Sequence, residues 1–305
     1  MKIKLILSTI IIAAFASSAS HGLAAPLPKN AYAFNFDEMT AQAYLVVDKV
    51  SGQVLLEKNA DMARVPASLT KLVTAMVVLD MNPTLKGTVT MAKSDEVGGT
   101  RIATRAGVKY SVKGLFFTSL IASANNATNA LARSTGLTRE EFVKRMNEKA
   151  LSLGAVNTVF VEPTGMDPAS KITARDFAKI AASAFYLPLI HEADNLTAYN
   201  LYSTGSGSRY VHRLKTTNRL LSDGGFLVVG AKTGYLDESR YNFVAELKDI
   251  DGKNILVVVL GSKNSTAQFF ETKKLAVWAW SNYSWQNFGG QVAGATSQGL
   301  QMPIF

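Results

Sequence analysis

The sequence contains no cysteine. A disulfide framework, a thiolate nucleophile and a lipid-modified cysteine are therefore excluded. Histidine is nearly absent too. There are three in 305 residues, and only His191 and His212 lie beyond the N-terminal segment. His191-Glu192-Ala193-Asp194 lacks the second histidine of a helical zinc motif and reads as surface. A G-x-S-x-G elbow is missing as well. The usual Ser-His-Asp and metallohydrolase routes are thus poorly supplied, which gives weight to a site built on lysine. After the N-terminal segment no 18 consecutive apolar residues occur, so no later membrane span is expected. The formal charge is +9, or +7 without Lys2 and Lys4, but the basic residues are scattered. No run of them resembles a nucleic-acid-binding arm, and no nucleic-acid partner is expected.

What is present begins with a targeting pattern. Lys2 and Lys4 precede an apolar run from Leu5 to Phe15, and Gly22-Leu23-Ala24 sets small residues before a cut after Ala24. Residues 1–24 read as a secretory signal peptide, too short for a comfortable span. An exported protein with a large core needs no disulfides. The hydrophobic fraction of 48% and charged fraction of 18% are ordinary for a folded domain.

The periodicity predicts strands at Ala43–Asp48 and Gln53–Lys58, joined by the turn Lys49-Val50-Ser51-Gly52. Helices are predicted from Ser68 to a stop at Asn82-Pro83, with an apolar run over Leu72–Leu79, and from Val112 to Ile121, Ala127 to Ser134, Thr138 to Leu153 and Thr173 to about Phe185. A short strand at Thr88–Met91 and others near Leu196–Tyr202 and Arg209–His212 are weaker signals. The last third returns to strands at Phe226–Lys232, Tyr241–Leu247 and Ile255–Leu260, and closes with a helix over Ala267–Trp280. Strands, helices, strands and a final helix imply an α/β lobe built from both chain ends, with a helical lobe inserted. A cleft between lobes is a common place for a site. Residues 25–283 are expected to form one domain, and 284–305 a tail rich in Gly, Gln, Ser and Ala.

Pro66-Ala67-Ser68-Leu69-Thr70-Lys71 opens the first helix. Residues i and i+3 share a helix face, so the Lys71 amine can lie beside the Ser68 hydroxyl. A serine is a poor nucleophile until a base takes its proton, and burial can turn a lysine into that base. The blander reading is a capping serine and a snorkelling lysine. Ser123-Ala124-Asn125 falls between two predicted helices, where Ser and Asn also serve as caps. The pattern is weak text, because Ser262-Lys263-Asn264 matches it too. Lys232-Thr233-Gly234 ends a predicted strand and offers a cation, a hydroxyl and room for a substrate backbone. Each motif is weak alone. In this order, S-x-x-K, S-x-N and K-T-G form the triple of penicillin-binding proteins and class A β-lactamases.

With these motifs the chain resembles the low-molecular-mass penicillin-binding proteins, serine-type D-Ala-D-Ala carboxypeptidases. Further segments carry the likeness: Val47-Asp48 with Ser51-Gly52, Thr164-Gly165-Met166-Asp167, Thr173 to Asp176, Thr217-Asn218-Arg219-Leu220-Leu221 and Tyr241-Asn242. It runs from about residue 40 to 282. The resemblance implies a β-lactamase/transpeptidase-like fold and an exported enzyme of the bacterial envelope, periplasmic or secreted, acting on peptidoglycan stem peptides. It implies no metal or other cofactor, and β-lactams as covalent inhibitors. Ser68 would be the acylated nucleophile and Lys71 its base. Ser123 would relay a proton to the leaving amine, and Asn125 would hold the amide side of the substrate. Lys232 would bind the terminal carboxylate region and keep Lys71 deprotonated. Thr233 would bond the carboxylate, Gly234 would let the substrate approach, and the N–H groups of Ser68 and Tyr235 would form the oxyanion hole.

Two departures from that pattern matter. Many relatives carry an arginine shortly before the closing helix, where this chain has Gln268; Arg240 or Lys263 is a candidate substitute. Residues 283–305 are too short for the β-rich domain of the longer relatives and lack a cationic amphipathic anchor, so no stable membrane anchor is expected. An endopeptidase that cuts D-Ala cross-links stays open as an alternative. A β-lactamase would need a glutamate to activate the deacylating water, and Glu162 is the nearest candidate. A non-catalytic penicillin sensor is the third reading.

Overall fold

The computed structural model describes residues 25–29, 37–205, 210–223 and 226–285. The expected signal peptide lies outside the described residues, as does the expected tail beyond Trp285. The scaffold is a five-stranded antiparallel sheet. Its strands are β2 (Ala43–Asp48), β3 (Val54–Lys58), β8 (Leu227–Leu236), β9 (Arg240–Lys248) and β10 (Asn254–Ser262), in the order β3-β2-β10-β9-β8. The central strand, β10, is apolar without a break because both of its faces are covered. Its Ile255, Val257 and Val259 enter an outer core, and Leu256, Val258 and Leu260 enter an inner one. β10 joins the N-terminal hairpin to the C-terminal strands: Ile255 lies opposite Asp48 on one side and Leu247 on the other.

Helix α8 (Ala267–Asn282) covers the outer face. β1 (Leu27–Pro28) pairs with β11 (Tyr283–Ser284), and the Trp285 indole donates to Asp48 Oδ1 at 2.7 Å. The inner face packs on α1 (Thr70–Met81) and α5 (Ala174–Tyr186). Residues Thr70 to Val78 of α1 are all buried, as expected for a helix surrounded by others. Around it stand α2 (Val112–Ile121), α3 (Asn125–Arg133), α4 (Arg139–Ser152), α6 (Pro188–Asp194) and the short α7 (Leu220–Asp223). Four strands complete this lobe: β4 (Thr88–Thr90), β5 (Lys109–Ser111), β6 (Ala198–Thr204) and β7 (Val211–Lys215), paired in that order. The mixed α/β fold is thus the one expected, a sheet lobe from both chain ends with a helical lobe between β3 and β8.

The differences from expectation are local. Helix α3 starts at Asn125 rather than Ala127. Helix α6 arises in a stretch read as mixed: extended Leu187 precedes Pro188, whose fixed φ suits a first helical position. Its packing also corrects the surface reading of residues 191–194. His191 and Glu192 are exposed, but Ala193 and Asp194 are buried.

Candidate active site

Ser68 sits in a one-turn 3-10 helix, Ala67–Leu69, entered from Pro66 at φ −71°. Helix α1 continues directly from it, which brings Lys71 to the serine. Lys71 Nζ donates to Ser68 Oγ at 2.7 Å and to the Thr164 carbonyl at 2.6 Å. The turn is clamped from two sides. Asn242 Nδ2 donates to the carbonyls of Val65 (2.9 Å) and Pro66 (3.2 Å), while its Oδ1 accepts from Gly261 N at 2.9 Å. Gly165 presses against the turn with φ +84°, and a Cβ there would lie 1.8 Å from the Ala67 carbonyl oxygen. Five non-glycine residues among those described have positive φ, and two of them, Ala67 and Ser123, lie in the turns that carry Ser68 and Ser123. Each such residue costs about 1–2 kcal/mol, so the surrounding packing must hold the turns in place.

Lys232 enters from β8. It lies opposite Val244, whose side chain belongs to the inner core, so its ammonium projects toward the helical lobe. There Nζ donates to Ser123 Oγ at 2.9 Å and to the Thr233 carbonyl at 3.0 Å. Both lysines are almost without exposure, 0% for Lys71 and 1% for Lys232. Burial pushes Lys71 well below the usual lysine range, the Lys232 charge adds to this, and Glu162 opposes it. Burial brings Lys232 down to about 8, against the pull of Asp194. Burial thus favours the neutral amine at both lysines, and at Lys71 the repulsion of Lys232 adds to it.

These groups open into a cleft of about 520 Å³ at the junction of the lobes. At one end, Asn125 Nδ2 donates to the Gly98 carbonyl at 2.7 Å, and Asn125 N donates to the Thr100 carbonyl at 2.7 Å. At the other, the hydroxyls of Thr233 and Thr217 meet at 2.6 Å. Gly234 lines the wall between, where a Cβ would come within 2.9 Å of the Pro66 carbonyl oxygen and 3.2 Å of Ser68 N. The exposed Tyr235 ring stacks on Tyr241 with centroids 4.3 Å apart. All eight residues singled out in the sequence thus lie together: six line the cleft, Lys232 is bonded to Ser123, and Lys71 is bonded to Ser68.

Gln268 lines the Thr217 end but is buried, its Nε2 donating to the Ser265 carbonyl at 3.2 Å. Arg240 and Lys263 are exposed and do not line the cleft. The cation in the wall is Arg219, whose guanidinium lies 6.0 Å above the centre of the Phe269 ring.

Glu162 is not free to activate water. Its Oε2 accepts from Thr164 N (2.7 Å) and Thr164 Oγ1 (2.6 Å), and its Oε1 accepts from Gly165 N. The carboxylate shapes the loop whose carbonyl receives Lys71. Asp194, read from the chain as surface, is buried where α6 packs on β8, because the seven residues of α6 carry no sign of which face turns inward. No group of three His, Cys, Asp or Glu side chains able to hold a metal ion occurs among the described residues. No described helix is long and apolar enough to cross a membrane.

A family model described as D-alanyl-D-alanine carboxypeptidase matches residues 30–264. A D-alanyl-D-alanine endopeptidase of Haemophilus influenzae is 32% identical over 231 residues, covering 75% of this chain and 77% of that protein. The D-alanyl-D-alanine carboxypeptidase DacC of Escherichia coli is 33% identical over 250 residues, covering 78% of this chain and 60% of that one. Among solved structures, the Streptomyces K15 DD-transpeptidase matches with a TM-score of 0.74 at 30% identity, over 80% of this chain and 98% of that one.

Proposed function

The chain belongs to the D-alanyl-D-alanine carboxypeptidase family and is a serine peptidase, and from that premise we propose that it removes the terminal D-alanine of peptidoglycan stem peptides through an acyl-enzyme at Ser68. The observation that carries the reading is the 2.7 Å contact of a fully buried Lys71 with Ser68 Oγ, at the floor of an open cleft. Neutral Lys71 takes the hydroxyl proton as Ser68 Oγ bonds to the carbonyl carbon between the two D-alanines. The N–H groups of Ser68 and Tyr235 receive the oxyanion; losing one such donor typically costs about 10²–10³ in rate. When the C–N bond breaks, the proton passes through Ser123 to the leaving amine. Water then attacks the ester, with Lys71 again as base. Asn125 holds the acyl strand's amide, while Lys232 and Thr233 hold the leaving group's carboxylate.

β-Lactams would enter the same cleft and remain on Ser68. A β-lactamase is disfavoured because Glu162 is spent on Thr164 and Gly165. Cleavage after Ala24 would deliver the enzyme to the bacterial envelope. The second reading is a D-Ala cross-link endopeptidase, favoured by the larger share of the Haemophilus influenzae endopeptidase that the match covers.

Mass spectrometry after incubation with stem pentapeptide and with purified cross-linked dimer tests both. Loss of one D-alanine from the pentapeptide supports the first reading, and conversion of dimer to monomers the second. Neither product, together with a Ser68→Ala variant that behaves like the wild type, would remove both.

A further inference from the structure

The four-stranded sheet of the helical lobe turns one face inward and the other to solvent. Tyr110 of β5, Leu201 of β6 and Leu214 of β7 pack on the inner core. The alternate residues, Asn200 and Tyr202 of β6 with Arg213 and Lys215 of β7, are exposed, as is Lys109 of β5. Pairing sets Arg213 opposite Asn200, Lys215 opposite Ala198, and Lys109 opposite Thr204. The fold thus gathers on one face three cations from distant parts of the chain. None of the three is paired with a carboxylate among the described residues, and the four strands contain no Asp or Glu. Cations on an edge strand also discourage pairing with another sheet. That role accounts for Arg213 and Lys215 but not for Lys109, because β5 lies inside the sheet.

This face continues into the catalytic cleft. β7 ends at Lys215, and the next two residues, Thr216 and Thr217, line the cleft wall. Thr217 N donates to the Ile121 carbonyl at 3.1 Å, and its hydroxyl meets that of Thr233 at 2.6 Å. Two residues span at most about 7 Å, so Lys215 stands at the end of the cleft that receives the leaving group. A leaving D-alanine is complete there and reaches no further. When the leaving amine belongs to a second stem peptide, the rest of that strand must emerge at this end. We propose that the outer face of the four-stranded sheet docks the acidic peptide on the amine side of a D-Ala cross-link, so that this chain acts on cross-linked strands. This rests on the peptidase reading above and deepens its second form. The chemistry is unchanged: the C–N bond breaks as the Ser68 ester forms, the proton goes to the amine of the second strand, and water then frees Ser68. Arg213, Lys215 and Lys109 attract the carboxylates of the departing strand, and Tyr202, 42% exposed, offers a flat apolar surface beside them.

The experiment measures kcat/KM for stem pentapeptide and for purified cross-linked dimer, at low and raised salt, together with acylation of Ser68 by a labelled penicillin. The proteins are wild type, Arg213→Glu with Lys215→Glu, and the charge-keeping Arg213→Lys with Lys215→Arg. Lys109→Glu probes the same face from another strand and serves alone should the double reversal not fold. The double reversal should lose about tenfold on dimer at low salt, and raised salt should shrink that loss. It should stay within about twofold of wild type on pentapeptide and in acylation, as should the charge-keeping variant on both substrates. Equal losses on dimer and pentapeptide would overturn the proposal, as would a double reversal that cleaves dimer at the wild-type rate. Anionic vesicles that bind wild type and not the double reversal, with dimer cleavage unchanged, would assign the face to a lipid surface instead. A wild type that releases D-alanine from pentapeptide but leaves dimer intact would overturn the proposal and spare the peptidase reading. A wild type that acts on neither substrate and is not acylated would overturn that reading, and this inference with it.

Discussion

Lys71 can act as a base only if it is neutral while still within reach of Ser68. Burial does most to lower its proton affinity, and two charges of opposite sign adjust the balance, Lys232 lowering it further and Glu162 raising it. The signs give paired predictions for the acid limb of kcat/KM, where activity rises as Lys71 deprotonates. Lys232→Gln removes a repelling cation, so Lys71 holds its proton longer and the limb moves up by about one pH unit. The same substitution should raise KM roughly 10–100-fold, because a charged partner of the substrate is lost. Glu162→Gln removes an attracting anion, so the limb moves down. It also turns an amide N–H toward donors of Thr164 or Gly165, at a cost of about 1–3 kcal/mol in stability. Limbs that move in the same direction in both variants would sink this account of Lys71. In a β-lactamase, Glu162→Gln would instead trap the acyl-enzyme while leaving acylation fast, which a penicillin pulse-chase would reveal.

The nucleophile's turn is an element held by contacts from elsewhere in the chain, and its most exposed dependence is Gly165. Gly165→Ala places a methyl group inside the Ala67 backbone and strains a left-handed residue. It should cost about 3 kcal/mol or more and slow acylation of Ser68. Gly107 has φ +93° with nothing within 4 Å of a Cβ, so Gly107→Ala should cost only about 1–2 kcal/mol and leave acylation unchanged. Thermal melts and penicillin acylation rates of the two variants check this, and equal losses would mean that strain rather than collision governs Gly165. The turn also shows how far the sequence could be read. Pro66, the i to i+3 spacing of Ser68 and Lys71, and the unbroken apolar run of β10 were legible because they are local patterns. The Thr164 carbonyl that receives Lys71 was not, since a main-chain acceptor leaves no mark on residue type. Nor was β5, three residues whose pairing partners lie on β4 and on the distant β6. Asp194 was misread because α6 has only seven residues, too few for a period to tell its buried face from its exposed one. Arg219 was read only as part of a family segment. Its place in the cleft wall follows from its contact with the Phe269 ring of α8, a tertiary contact.

At the scale of the whole molecule, the site exists only because two lobes share one core. The inner cluster runs from Leu256, Val258 and Leu260 of β10 through α1 and α5 to Phe116, Phe117 and Phe142 of the helical lobe. β10 is also the strand that ties residues 43–58 to residues 227–248. Unfolding either lobe would expose the face of the other, so the chain should unfold as one cooperative unit despite its two-lobed shape. The protein carries its own probes. All three tryptophans, Trp278 and Trp280 of α8 and Trp285 beyond it, pack against the outer core, on the far side of the sheet from Ser68 and Ser123. Capacity for penicillin acylation reports the lobe junction instead. A urea titration should give the same midpoint by tryptophan fluorescence and by loss of acylation. An acylation midpoint at lower urea would mean that the helical lobe opens while the sheet stands. The lysine pair would then rest on local rather than global stability, and the Gly165→Ala and Glu162→Gln variants should widen the gap between the two midpoints rather than move them together.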